Sequence, residues 1–120
     1  MSYDFHIVRS KENPITNDEW NAFVESEPGE WRIEKELSAT NPTTKEVIKQ
    51  QKNDGTLFTI WLGNPKRSPQ GVAFDLSRGR VNISGHAIDT PNASDRTFAK
   101  ILAVAKKLGA QVVGDEGEVY

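Results

Sequence analysis

The sequence predicts an α+β domain in which an antiparallel sheet of five to seven strands has two helices packed on one face. Two segments, near residues 16–27 and 94–108, repeat apolar residues at the three- and four-residue steps of an amphipathic helix. Short runs elsewhere alternate apolar and polar residues, as half-buried strands do. Because the runs of strands are bracketed by helices, this architecture is favoured over a repeated βαβ unit.

The composition is that of a single water-soluble domain. The chain has 120 residues, 36% of them hydrophobic, and no cysteine, so we expect one domain over residues 1–120 whose core needs no disulfide. Residues 1–9 do not resemble a signal peptide, and no stretch reaches the roughly 20 apolar residues of a membrane span. We therefore expect a cytoplasmic protein that does not bind membranes.

The N-terminal part of the chain predicts a strand and then a helix. Residues 3–9 alternate in polarity, which indicates a strand with one buried face. Thr16 and Glu19 have the spacing of a capping box, and Ile15 can contact Trp20 as a hydrophobic staple. The helix should end before Pro28, because a proline pushes the preceding residue out of the helical region.

The middle of the chain predicts strands separated by turns. Residues 30–37 and 44–51 are the first two, with a turn-rich break at residues 38–44 between them. The sequence Asn53-Asp54-Gly55 is a strong reversal signal. It predicts an antiparallel hairpin that joins residues 44–51 to the next strand, residues 56–62.

The remaining strands, near residues 72–76 and 81–83, are joined by a turn at Ser77-Arg78-Gly79. Their close spacing predicts a meander in which consecutive strands are neighbours. The predicted core combines the inward residues of these strands with those of both helices: Phe5, Ile7, Trp20, Phe23, Phe58, Ile60, Phe74, Phe98, Ile101, Leu102 and Leu108.

The last quarter of the chain predicts an amphipathic helix followed by a terminal hairpin. Asn92 and Ser94 are candidates for the N-cap, and Gly109 is placed for a left-handed C-terminal cap. Glycines on both sides of Asp115 and Glu116 suit a reversal between two short terminal strands. The apolar stripe of the helix consists of Phe98, Ile101, Leu102, Ala105 and Leu108.

No complete catalytic or metal-binding motif is present, so we expect neither a metal nor a cofactor. The chain contains two histidines. His86 could form an acid/base pair with Asp75 or Asp89, with Arg78 assisting, and this is the alternative site that the sequence leaves open. If it is a site, these side chains should line one concave pocket.

Charge is distributed unevenly along the chain. Residues 1–50 hold ten acidic and six basic side chains, although the formal net charge of the whole chain is only −2. A net negative charge argues against nucleic acid as a partner. The acidic bias instead suggests a surface for a basic protein, such as a toxin domain, with Glu30, Glu34 and Glu36 as the candidate binding residues.

Both ends of the chain resemble a family of small bacterial proteins of unknown function. The resemblance rests on the opening Met1-Ser2-Tyr3-Asp4-Phe5-His6-Ile7, on Pro14-Ile15-Thr16-x-x-Glu19-Trp20, and on the close Gly114-Asp115-x-Gly117-Glu118-Val119-Tyr120. It implies a bacterial protein but no activity. In size and acidic bias the chain is also loosely similar to immunity proteins that neutralise toxins.

Two hypotheses follow from these observations. The first is a non-enzymatic protein-binding module, in its most concrete form a bacterial toxin immunity protein. The alternative is a small enzyme or ligand-binding domain that uses His86, Asp75 and Asp89.

Overall fold

The computed structural model describes residues 3–34, 36–40, 43–51, 58–67 and 70–120. These residues form eight strands and two α-helices, with short 3₁₀ turns at Pro65–Arg67 and Gly85–Ala87. In chain order the elements are β1 (Phe5–Val8), α1 (Asn17–Glu25), β2 (Trp31–Glu34), β3 (Glu36–Thr40), β4 (Val47–Gln51), β5 (Phe58–Trp61), β6 (Val72–Ser77), β7 (Arg80–Ile83), α2 (Arg96–Lys107) and β8 (Gln111–Gly114).

Of the described strands, six form one antiparallel sheet in the order β2-β5-β6-β7-β1-β8. β3 and β4 pair with each other as a separate two-stranded sheet. The predicted α+β class, with an antiparallel sheet of five to seven strands and two helices, is therefore confirmed. That both helices pack on one face stays a prediction.

The core is a single cluster of buried apolar side chains from both helices and from alternate positions of the strands. Alternation places Ile7 opposite Val81 in the sheet, and both are fully buried. Most of the predicted core is confirmed, namely Phe5, Ile7, Trp20, Phe23, Ile60, Phe74, Phe98 and Ile101. Phe58, Leu102 and Leu108 are only partly buried.

The start of α1 is as predicted. The hydroxyl of Thr16 accepts a hydrogen bond from the Glu19 amide, and the Glu19 carboxylate accepts one from the Thr16 amide. Arg9 holds the same carboxylate with two guanidinium nitrogens, at 2.5 and 2.8 Å. The hydrogen bond from Arg9 is the largest of the effects that lower the pKa of Glu19 to about 2.

The start and the phase of α2 differ from the prediction. Its N-cap is Asp95, whose carboxylate accepts a hydrogen bond from the amide of Phe98 at 3.0 Å; Asn92 and Ser94 precede it. The C-terminal cap at Gly109 is confirmed, with φ +63°. The buried side chains of the helix are those of Thr97, Phe98, Ile101, Val104 and Ala105.

The predicted pairing of residues 44–51 with 56–62 is wrong. β4 pairs with β3, in a register that sets Thr40 opposite Val47, and β5 pairs with β2 and β6. The strand continues through residues 38–40, where a turn was expected, so the reversal comes later in the chain. The predicted turn at residues 53–55 lies outside the described residues.

The predicted meander holds for β5, β6 and β7 but not for the rest of the sheet. β1 lies between β7 and β8, and β2 lies beside β5. These three pairings join distant parts of the sequence, which the spacing between neighbouring segments cannot indicate.

The terminal hairpin is confirmed. Val113 and Val119 form a bridge, the Gly114 amide donates to the Glu118 carbonyl, and the Tyr120 amide donates to the Val112 carbonyl, the last two at 2.9 Å each. Residues 118–120 therefore cover the outer edge of β8.

Lys100 of α2 pairs with Glu27, two residues beyond the end of α1, beside aromatic residues of the core. Lys100 donates to both carboxylate oxygens of Glu27, at 2.8 and 2.9 Å, and each side chain is only 11% exposed. The ammonium nitrogen also lies 5.6 to 5.9 Å from the ring centroids of Phe23, Trp31 and Trp61. The ion pair is thus largely removed from water and has cation–π contacts on its other sides.

The turn between β6 and β7 contains a strained arginine. Ser77 and Arg80 are opposite each other, and the two residues between them, Arg78 and Gly79, have φ of 56° and 79°. These angles fit a type I′ turn, which favours asparagine at the first position because other side chains are strained there.

Replacing Arg78 by asparagine is expected to raise the free energy of unfolding by about 0.5–1 kcal/mol, since asparagine adopts a positive φ more easily. Urea denaturation would measure the change. Gly79→Ala is the opposite control, because a Cβ there would lie 2.6 Å from the Cβ of Pro14. A less stable Arg78→Asn variant would contradict the assignment of strain.

Candidate functional site

Two of the three predicted binding carboxylates lie at one edge of the sheet. Glu34 ends β2 and Glu30 immediately precedes that strand, and their side chains are 37% and 47% exposed. Both are close to bases: Arg32 contacts Glu34 at 2.6 Å, and Lys100 lies 3.9 Å from Glu30. The local negative charge is therefore smaller than the count of acids suggests. Glu36 opens β3, and its side chain lies outside the described residues.

β2 is an edge strand. Among the described strands it pairs with β5 on one side and with none on the other. The Leu62 amide donates to the Glu30 carbonyl at 2.9 Å, which makes 30 and 62 a hydrogen-bonded pair. Alternation along an antiparallel ladder then directs the amide and carbonyl of Ile33 away from β5, toward the open edge.

The edge continues into a second β structure. Within the described chain, β3 follows β2 after a single residue, and β3 and β4 pair with each other rather than with the main sheet. We call the hairpin of β3 and β4 the arm. Ile33 is 50% exposed and Val47, the first residue of β4, is 58% exposed. Within the described chain, the edge at Ile33 therefore has no strand partner on its outer side, and the edge and the arm offer exposed apolar side chains at Ile33 and Val47.

The pocket that His86 lines does not include the carboxylates of the alternative site. His86 is exposed and lines a pocket of about 340 Å³ with Tyr3, Phe5 and Tyr120, among others, and the described lining includes neither Asp75 nor Asp89. Asp89 is exposed and pairs with Arg67 at 3.1 Å.

Asp75 and Arg78 are also separate from His86. Asp75 lies on β6 opposite Asn82, and Arg78 lies in the turn at the other end of β7 from His86. The pocket that His86 lines therefore gives the acid/base site no support within the described residues, and that site stays a prediction from sequence.

The other histidine, His6, belongs to a polar network that the sequence did not reveal. One ring nitrogen, Nδ1, lies 2.6 Å from the Asn82 Oδ1, and the other, Nε2, lies 2.7 Å from the Asp115 Oδ1. Asp115 also accepts a hydrogen bond from the Asp4 amide at 2.8 Å. This bond, followed by the one to His6, lowers the pKa of Asp115. The network links β1 to β7 and to the terminal hairpin, and both ring nitrogens are engaged in that link.

In the part of the chain that the structure describes, no group of three or more His, Asp or Glu side chains is arranged to hold a metal ion. None of the described helices combines the length and apolar composition needed to cross a membrane.

Comparison of the chain with protein-family models, with curated proteins and with solved structures finds no match. The resemblance of its two ends to a family of small bacterial proteins therefore stays a prediction, as does the likeness to immunity proteins.

Proposed function

We propose that this chain is a protein-binding module that engages its partner along β2 and the arm. The observation that carries the proposal is the open edge of β2, which runs directly into a hairpin that pairs only with itself among the described strands. A two-stranded hairpin is marginally stable in water by itself, and an open edge strand is a template for pairing with another chain. A partner strand that pairs with β2 and extends along the arm would close the open edge and stabilise the hairpin.

The chemistry of the edge indicates what kind of strand would bind. The outward amide and carbonyl of Ile33 supply backbone hydrogen bonds, and its half-exposed side chain supplies apolar area. Glu30 and Glu34 stand on either side of it, each with more than a third of its side chain in water. These carboxylates favour a partner with basic residues beside its strand and would accelerate the encounter.

The narrower form of the proposal is toxin immunity. Toxin domains that attack nucleic acid carry basic surfaces to bind it, and a protein that covers such a surface with exposed carboxylates, here Glu30 and Glu34, would exclude the substrate. The small size of the chain and its ten acids among residues 1–50 support this form.

Blocking the edge should abolish binding without unfolding the domain. Ile33→Pro removes an amide that points away from β5, so it should prevent strand addition while keeping the pairing with β5. Ile33→Thr is the matched control, because it keeps the amide. Immobilised wild-type protein and both variants would be compared for capture from native cells by quantitative mass spectrometry. We expect at least one cellular protein to be captured by the wild type and by Ile33→Thr but not by Ile33→Pro.

Charge reversal then tests the electrostatic part with that purified protein. Glu30→Lys and Glu34→Lys should each slow association several-fold, and the rate should depend less on salt between about 50 and 300 mM. Glu25→Lys, an exposed reversal on α1, is the control and should change little. If no captured protein distinguishes Ile33→Pro from Ile33→Thr, the edge is not the binding surface. If neither salt nor these reversals change the association rate, the carboxylates do not accelerate the encounter and the electrostatic part of the proposal is wrong.

A further inference from the structure

A second surface of the molecule carries the opposite charge. A depression of about 450 Å³ lies between the segment that follows β1 and the turn between β6 and β7. It adjoins a depression of about 440 Å³ that shares Pro14, Arg78 and Gly79 with it. A third depression, of about 420 Å³, shares Val8, Arg9 and Ser10 with the first. The three depressions share lining residues, and we call the surface that they form together the basic groove.

The described lining of the basic groove includes four basic side chains, and none of its residues is an aspartate or glutamate. Arg9 is already bound to Glu19 and to backbone carbonyls. Lys11, Arg78 and Arg80 are exposed and form no ion pair within the described chain. In a chain with more acids than bases, the described lining of the groove is thus positively charged.

The basic groove is held in a fixed shape. The Ile15 amide donates to the Gly79 carbonyl at 2.8 Å, so the β6–β7 turn is attached to the segment that leads into α1. A Cβ at Gly79 would meet Pro14 at 2.6 Å, which shows how closely the two segments approach. The turn therefore presents Arg78 from a preorganised backbone, which reduces the entropy lost when a ligand binds.

We propose that the basic groove binds an acidic peptide segment of a partner protein in an extended conformation. Arginine forms paired hydrogen bonds with carboxylates, and cations spread over several adjoining depressions suit an extended ligand better than a compact one. Uncharged donors and acceptors, such as Ser10, Asn13 and Gln111, line the same groove and can bind a peptide backbone. The described lining contains no aromatic side chain on which nucleic-acid bases could stack.

The groove residues lie outside β2 and the arm, so this proposal stands or falls separately from the proposed function. The test uses a rhodamine-labelled peptide of alternating glutamate and serine, with a glutamine–serine peptide as the uncharged reference. Fluorescence anisotropy would give the Kd of each for the whole chain at low salt. We expect binding of the glutamate peptide only. The combined variant Lys11→Gln, Arg78→Asn and Arg80→Gln should weaken that binding about tenfold or more.

Lys106→Gln is the matched control, because it removes an exposed lysine that does not line the groove, and it should change the Kd less than about twofold. Arg78→Asn alone gives a variant whose turn is relaxed, so weaker peptide binding by it cannot be attributed to unfolding. The proposal is overturned if the wild type does not bind the glutamate peptide, or if the combined variant binds it as the control does. Tighter binding of a labelled oligothymidine would assign the groove to nucleic acid and also overturn it.

Discussion

Replacing Lys100 by methionine is expected to lower the free energy of unfolding by about 3 kcal/mol at neutral pH. The substitution leaves the Glu27 carboxylate, only 11% exposed, without the ammonium group that donates to both of its oxygens. Removing one member of a largely buried ion pair costs more than the pair itself contributes, because the remaining charge stays away from water. Denaturant unfolding of the variant would measure the loss.

The matched control is Lys107→Met. Lys107 lies 3.6 Å from the same carboxylate but is 59% exposed, so its removal should cost less than about 1 kcal/mol. Equal losses for the two lysines would show that burial does not determine the strength of the Lys100 pair.

The pair should also give the stability a pH dependence. Burial alone would raise the pKa of Glu27, but hydrogen bonds from Lys100 and Trp31 and the charges of Lys100 and Lys107 outweigh it, so the pKa lies below its ordinary 4.5. This contribution to stability is present above about pH 4.5 and is lost as the pH falls through the folded pKa. The Lys100→Met variant should show a weaker dependence in that range.

Replacing Phe98 by alanine is expected to cost about 3–5 kcal/mol. The ring is 2% exposed and packs edge to face against Phe5 and Tyr120, with centroids 5.4 Å apart in each case. Its loss would leave a cavity between α2, β1 and the C-terminus that the surrounding backbone cannot fill. Chemical denaturation would give the value.

Leu102→Ala, in the same helix, should cost less than about 2 kcal/mol, because that side chain is only partly buried. A similar loss for Phe98 and Leu102 would support the apolar stripe predicted from sequence over the one in the structure.

Local signals correctly predicted the start of α1 and the C-terminal cap of α2. The capping box at Thr16 and Glu19 and the glycine cap at Gly109 depend on residues within a few positions of each other, so they can be read directly. The buried face of α2 was harder to predict, because more than one set of its leucine, valine and alanine residues repeats with the helical period. Burial of Val104 in preference to Leu102 is decided by what the helix packs against.

The pairing of distant segments could not be predicted from local signals. The adjacency of β1 and β7 sets Ile7 opposite Val81, and nothing within either segment specifies the other. That adjacency also helps to assemble the basic groove, in which Lys11 follows β1 and Arg80 begins β7. The feature of the sequence that could have indicated the groove is Arg78, which occupies a turn position where asparagine is preferred. Likewise, the count of acids indicated Glu30 and Glu34, but not that Lys100 and Arg32 would lie beside them.

The two edges of the main sheet are not equivalent, and this limits how the molecule can associate. Residues 118–120 cover β8, whereas β2 has no neighbour on its outer side within the described chain. A sheet with two open edges can add copies of itself without end, as fibres do. A sheet with one open edge has no open edge left after a single pairing. Because residues 118–120 cover β8, we expect association through this sheet to take place at β2 alone and to end with one partner.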